Sequence, residues 1–277
     1  MSIQPSVQEK RAAFRTLHQQ GCFIIPNPWD AGTARMLEGM GFKALATTSA
    51  GHAWSEGRPD GGIARDVALA HLREMVSATR LPVNADFEGG FAVSAQGVAE
   101  SVRMAIDTGV AGLSIEDSTG DPARPLRDID DAVTRMRAAR GAIDASGSGV
   151  LLVGRAENFI VGRPDLDDTI ARLKAYCEAG ADCLYAPGIS TREQIEAVVA
   201  AVAPKPINLL IGSNSPYTLP ELAAMGVRRV SVGGALARAA WGGFMRATSA
   251  MVQGRFDGLD GATPGKELNE IFRQPQA

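Results

Sequence analysis

Eight short runs rich in apolar and β-branched residues recur along the chain, at 22–26, 43–47, 82–86, 111–116, 150–154, 182–185, 206–211 and 229–232. Between them the apolar residues fall at a helical period, as in Val98, Val102, Ala105 and Ile106, or Leu166, Ile170, Leu173 and Cys177. Strands that are apolar through most of their length, separated by amphipathic helices, belong to a parallel sheet with its outer face covered. Eight such units predict a closed (β/α)8 barrel. The first strand leads into Asn27-Pro28-Trp29-Asp30 and no G-x-G-x-x-G follows any strand, which argues against the alternative, a doubly wound open sheet. The 277 residues suit one barrel of roughly 250. We therefore expect a single domain over 1–277, with the barrel at about 22–250, an extra amphipathic helix before Cys22, and a tail at about 254–277 ending in a short helix near Glu267 to Phe272.

Punctuation supports the alternation. Ser190 with Glu193 and Thr218 with Glu221 have the spacing of capping boxes, in which two side chains satisfy free backbone N–H groups at a helix start. Gly41, Gly109, Gly180 and Gly226 each fall between a helical segment and the next apolar run, where a left-handed residue stops a helix.

Composition excludes several classes of function. With 28 basic against 31 acidic residues there is no excess positive charge to meet a phosphate backbone, so nucleic acid is not an expected partner. No apolar run approaches the roughly 18 residues of a membrane span, and Glu9, Lys10, Arg11 and Arg15 stand where a signal peptide would be apolar, so no membrane partner is expected. Cys22, Cys177 and Cys183 lack C-x-x-C spacing and an even count, which argues against disulfides or a thiolate zinc site and for a reducing, cytoplasmic setting, and each falls on an apolar face or in a strand, where a buried thiol is expected. His18 and His71 fall on segments expected to be surface helices; only His52 lies near a strand end.

In a (β/α)8 barrel the chemistry sits where the C-terminal strand ends converge. Those ends carry Asn27 and Asp30, then Thr48-Ser49-Ala50-Gly51-His52, Asp86 and Glu88, Glu116 and Asp117, Arg155 and Glu157, and later Asn208 and Ser213. Asp86, Glu88 and Glu116 come from adjacent strands, and carboxylates crowded in a mouth repel unless they share a proton or hold a cation. Hard oxygen donors without histidine or thiolate support favour Mg2+, with Mn2+ as a substitute. The alternative is that these acids pair with Arg155 or cap neighbouring helices. Arg155 offers a planar fork suited to a carboxylate, phosphonate or phosphate. The small residues from Thr47 to Gly51 could let backbone N–H groups converge on an anion. No serine, cysteine and histidine are arranged as a nucleophilic triad.

Asn27-Pro28-Trp29-Asp30, Thr47-Thr48-Ser49-Ala50-Gly51, Gly57-Arg58-Pro59-Asp60, Val83-Asn84-Ala85-Asp86-Phe87-Glu88-Gly89-Gly90 and Ile115-Glu116-Asp117 together resemble the isocitrate lyase / phosphoenolpyruvate mutase superfamily, over about residues 23–244. The resemblance implies an α/β barrel whose eighth helix is exchanged between subunits, giving a homodimer or homotetramer, and a Mg2+ site for a small anionic 2-oxo acid. By the same comparison Asp86 is the direct metal ligand, with Glu88 and Glu116 reaching the ion mostly through water. Ser49, Ala50 and Gly51 hold the substrate carboxylate or enolate oxygen, Arg155 holds the carboxylate, and Asp60 faces the reacting carbon or phosphorus. Asn208, at the end of the seventh strand, is counted with the substrate-binding residues.

The departures are informative. The lyase branch carries Lys-Lys-Cys-Gly-His after the fourth strand, where this chain has Ser118-Thr119-Gly120-Asp121-Pro122-Ala123-Arg124-Pro125-Leu126. The mutase branch places Lys and Asn in that loop, and neither is present. Glu88 stands where many members have a second aspartate, and the sixth strand ends Tyr185-Ala186-Pro187 where others supply His or Glu. The expected activity is a Mg2+-dependent lyase cleaving a C–C or C–P bond next to the carbonyl of an oxaloacetate-like acid through an enolate. The alternatives are a phosphoenolpyruvate phosphonomutase or phosphonopyruvate hydrolase and, from another class, a non-catalytic 2-oxo acid binding protein.

Overall fold

The computed structural model describes residues 4–273; the outermost ends of the expected domain and tail, 1–3 and 274–277, lie outside the described residues. All eight apolar runs form strands: β1 (Phe23–Ile25), β2 (Leu45–Ala46), β3 (Val83–Asp86), β4 (Gly112–Glu116), β5 (Leu151–Arg155), β6 (Cys183–Tyr185), β7 (Ile207–Leu210) and β8 (Arg229–Ser231). They pair in parallel in the order β1-β8-β7-β6-β5-β4-β3-β2. The seam between β1 and β2 is bridged by Ala46 N–H donating to Pro26 O at 3.0 Å and by Asn27 Nδ2 donating to Thr47 O at 2.9 Å. Eight parallel strands thus form the (β/α)8 barrel the alternation predicts.

The helices follow the same alternation. In chain order they are α1 (Val7–Leu17), α2 (Ala31–Gly39), α3 (Ser49–Ser55), α4 (Arg65–Ala78), α5 (Ala95–Ile106), α6 (Ile129–Ser146), α7 (Leu166–Glu178), α8 (Arg192–Val202), α9 (Leu219–Ala224), α10 (Ala235–Val252) and α11 (Gly265–Arg273). Gly41, Gly109, Gly180 and Gly226 all take φ between 89° and 99°, the left-handed geometry expected between helix and strand. Thr218 and Glu221 form the expected capping box on α9. On α8 the box is one residue later than expected: Thr191 pairs with Gln194, and Ser190 lies outside, its amide donating to Gln194 Oε1.

Helix α1 plugs the bottom of the barrel. Phe14 is buried among Ile25, Ala44, Ala46, Ala111 and Leu151, while Lys10 Nζ donates to the carbonyls of Val76 and Thr79 and Arg11 to those of Ile106 and Val110. These carbonyls lie at or just beyond the C-termini of α4 and α5, where cations offset the unpaired acceptors. Two histidine expectations are corrected here. His71 is buried on α4, its ring stacked on His52 at 3.7 Å and 7°. His18 accompanies the plug, between Phe14 and Phe23. Both α1 and α4 pack on the barrel, so neither ring is solvated as a surface helix would leave it.

Candidate active site

The strand register builds the site before any side chain is considered. Glu116, Arg155, Tyr185, Asn208 and Arg229 are direct neighbours in successive strand pairs, one continuous row across β4 to β8, with Asp86 beside Ser114 on the other side. Alternate residues of a barrel strand share a face, so this row turns its side chains inward.

At the mouth Arg155 is ringed by acids. Its Nη1 donates to Asp86 Oδ1 at 3.0 Å and lies 3.1 Å from Glu116 Oε2, and its Nε and Nη2 both engage the Glu157 carboxylate. Asp86 Oδ2 in turn accepts from the amide and hydroxyl of Ser49, at 3.0 and 2.8 Å. The segment expected as a small-residue turn is the start of α3, capped by Thr48, whose Oγ1 accepts from Gly51 N–H. The donors assigned to a substrate anion on Ser49, Gly51 and Arg155 are therefore engaged with protein groups here. Ala50 lines a cavity together with Ser49, Asp86 and Arg155.

The charge balance is uneven. Burial pushes Glu88 up to about 7, helped by repulsion from Asp86 and Asp60. Burial also raises Glu116 well above the usual carboxylate range despite the pull of Arg155. Asp60, at the rim, is raised by burial and by Asp86. For Arg155, burial opposes the charge, but Glu157, Glu116 and Asp86 together hold it firmly protonated. Among the described residues no three acidic, histidine or cysteine groups converge as a preformed metal cage. A magnesium site does not need one, since one or two carboxylates with waters and substrate suffice. Carboxylates starved of positive charge, all hard oxygen donors, fit such an ion.

Two cavities meet at this ring. An outer one of about 400 Å³ is bordered by Ser49, Asp60, Glu88, Glu116 and Arg155 together with Ser118 to Gly120. A deeper one of about 150 Å³ shares Ser49, Asp60 and Arg155 and descends past Tyr185 and Asn208 to Arg229. All the sequence-assigned residues, Ser49, Ala50, Asp60, Asp86, Glu88, Glu116, Arg155 and Asn208, border one or both cavities, Gly51 lying one residue behind on α3. Asn208 sits deepest, its Nδ2 donating to Ser231 Oγ and its Oδ1 accepting from Arg229 Nε.

Some supporting contacts, and the residues Arg135, Arg172 and Tyr176 that make them, carry no signal in the sequence. Glu88 has a left-handed backbone, φ 46°, as does Phe91 at 52°, a conformation that costs a non-glycine residue about 1–3 kcal/mol. Arg135 of α6 holds this loop, donating to the carbonyls of Gly89, Ala92 and Val93 at 2.7–2.8 Å. Asp117, beside Glu116, accepts from Tyr176 Oη, Arg172 Nη1 and the Glu157 amide. Arg172 Nη1 also reaches Arg127 O, tying the loop after β4 to the base of Arg155's partner. A helix-face arginine carries no sequence signal for such a contact.

The family model for phosphoenolpyruvate phosphomutase matches residues 14–252. A solved structure from Burkholderia cenocepacia J2315, described as a lyase or mutase, is 51% identical with a TM-score of 0.94, covering 98% of this chain and 99% of that one. Oxaloacetate decarboxylase of Bradyrhizobium sp. (strain ORS 278) is 32% identical over 80% of this chain and 77% of its own. The structure of oxaloacetate acetylhydrolase with its product oxalate superposes with a TM-score of 0.85 at 27% identity, covering 96% and 95% of the two chains.

Proposed function

The chain belongs to the phosphoenolpyruvate phosphomutase family, within the isocitrate lyase superfamily of lyases and mutases, and on that premise we propose that it is a Mg2+-dependent lyase that decarboxylates a small oxaloacetate-like 2-oxo acid. The observation that carries the decarboxylase reading is the loop from Ser118 to Leu126. Its first residues, Ser118 to Gly120, border the outer cavity yet bring no lysine, cysteine or histidine to it, and the Ser118 and Thr119 hydroxyls and the Asp121 carboxylate are bonded within the loop itself. Loss of CO2 needs no acid for the departing fragment, whereas release of a carbanionic acid fragment does.

Divalent-metal dependence is general in this superfamily. Asp86 would hold the ion, with Glu88 and Glu116 beside it, and the ion would supply Lewis-acid stabilisation for the enolate left when the C–C bond breaks. The chain's own residues do the rest. Were Asp86 and Glu116 to hold the ion, Arg155 Nη1 would be free to grip the 2-oxo carboxylate, with Glu157 still bonded to the guanidinium. Ser49 and the amides of Ala50 and Gly51 orient the oxygen that gains charge. Asp60, at the rim and with its proton affinity raised by burial and by Asp86, would return a proton to the enolate carbon, giving the shortened 2-oxo acid.

Incubation with oxaloacetate, phosphonopyruvate and 2-methylisocitrate, with Mg2+ and with EDTA, tests this. We expect metal-dependent CO2 release from oxaloacetate, reduced on the order of 10²–10³-fold in Asp86→Asn. Turnover of phosphonopyruvate without any of oxaloacetate would instead establish the phosphonomutase or hydrolase reading, which the family model and the place of Asp60 support. The assembly belongs to the same proposal. Helix α10 follows β8 as the eighth barrel helix, yet only Ala237 and Ala250 on it are buried, while Trp241, Phe244, Met245 and Met251 are exposed. A homodimer or homotetramer that exchanges α10 would cover them. Three free cysteines without pairing spacing support a cytoplasmic site of action.

A further inference from the structure

Behind the mouth lies a pair of histidines that the proposed chemistry does not use. His52, on α3, and His71, on α4, stack face to face, their ring centroids 3.7 Å apart and their planes inclined by 7°. His71 Nε2 lies 3.0 Å from Trp29 O, and a carbonyl oxygen only accepts, so that nitrogen carries the ring's proton. Burial lowers the pKa of both rings, that of His71 to about 4. Near pH 7 the stack is therefore neutral and free of the repulsion that two imidazolium rings would feel. His52 is thus held flat against a fixed partner. It is 9% exposed, and its Nε2 is buried with no hydrogen-bond partner among the described residues. Burying a ring nitrogen without a partner costs free energy, so such an atom points to a small polar ligand.

A cavity of about 20 Å³ adjoins the pair, bordered by His52 and His71, by Thr47 and Thr48 at the start of α3, and by Glu88 and Phe91 of the loop after β3. A water needs at least about 10–15 Å³ of such space and two to four polar partners, so the cavity matches a single water. Thr47 Oγ1 and Thr48 Oγ1 accept from the amides of Asp86 and Gly51, and each hydroxyl keeps a proton to donate. An ion is not called for, since among the described residues no three metal-ligating groups converge. Water also suits either tautomer of His52, because it can donate or accept. We infer that His52 is a positioning residue: clamped by His71, it holds one buried water in this cavity, and that water ties α3, which carries Ser49, Ala50 and Gly51, to the loop that carries Glu88. The loop needs such support because Glu88 and Phe91 both have left-handed backbones, and Arg135 holds it only from α6. His52 borders neither cavity of the mouth, so its effect on turnover passes through the groups it holds in place. That kinetic consequence rests on the proposed lyase reading; the water site does not.

A high-resolution crystal structure of the whole protein tests the site. We expect density for one water at about 2.7–3.2 Å from His52 Nε2, bonded also to Glu88 or to the backbone of its loop. His52→Phe, which keeps a ring for the stack but no nitrogen, should lose that water, and His52→Gln, whose amide reaches the place of Nε2, should keep it. His52→Phe should also bind Mn2+ about tenfold more weakly and, with oxaloacetate and Mg2+, lose about tenfold in kcat with KM within about twofold, the low end for a residue that supports a metal ligand. His52→Gln should recover most of both. Wild-type density without the water, or with a water that bonds only His52, overturns the inference, and that outcome does not depend on either variant folding. Loss of the water from His52→Phe with Mn2+ affinity and kcat both unchanged overturns the positioning role. Should the wild-type protein turn over no oxaloacetate, the lyase reading fails, while the density and the Mn2+ titration still decide this inference.

Discussion

At the scale of single residues, position in the fold sets protonation. Burial lowers His18 to about 3 and, with repulsion from stacked His52, His71 to about 4. Above pH 6.5 both rings are neutral folded or unfolded and add no pH dependence. Below it the unfolded chain takes up protons that the folded one refuses, so each ring removes about 1.4 kcal/mol of stability per pH unit, down to about pH 4 for His71 and about pH 3 for His18. Urea unfolding at pH 7, 6 and 5 should show this fall, and His71→Gln should shallow its slope by about 1.4 kcal/mol per unit; an unchanged slope would mean that His71 protonates freely. The acids and Arg155 at the strand ends were legible in the sequence because strand parity and order fix their place. The histidines were not, since a helical period marks which residues lie on one face but not how far polar neighbours sink beside them.

At the scale of elements, one helix supports a loop of another unit. Arg135 projects from α6 into the turn after β3 and satisfies three carbonyls of the segment that holds Glu88 in its left-handed conformation. Arg135→Met should cost about 1–3 kcal/mol for the carbonyls left without a donor and should lower kcat more than it raises KM, because Glu88 loses its fixed place near Asp86. Chemical denaturation with steady-state kinetics on oxaloacetate checks both; full stability with full activity would show that the loop holds itself. Helix starts and stops were largely readable, Thr218 with Glu221 and the four glycines among them. The one-residue shift at α8 reflects local competition, since Gln194 serves Thr191 as well as Glu193 could have served Ser190.

For the whole molecule, the exposed apolar face of α10 bears on assembly. Sedimentation should find a dimer or tetramer, and Phe244→Asp combined with Met245→Asp should shift most of the protein to a smaller species; a monomeric wild type would refute the exchanged helix. The sequence by itself determined the number of strands, their alternation with helices and the kinds of side chain at each strand end, because the periods of strand and helix are local properties of the chain. It did not determine that Asp86, Glu116 and Glu157 close on one guanidinium, that Arg135 holds the Glu88 loop, or that Arg229 bonds Asn208 at the floor of the cavity. Those depend on which residues meet across the barrel, and contacts between residues tens to hundreds of positions apart are fixed only when strand tilt and register bring the eight units into one ring.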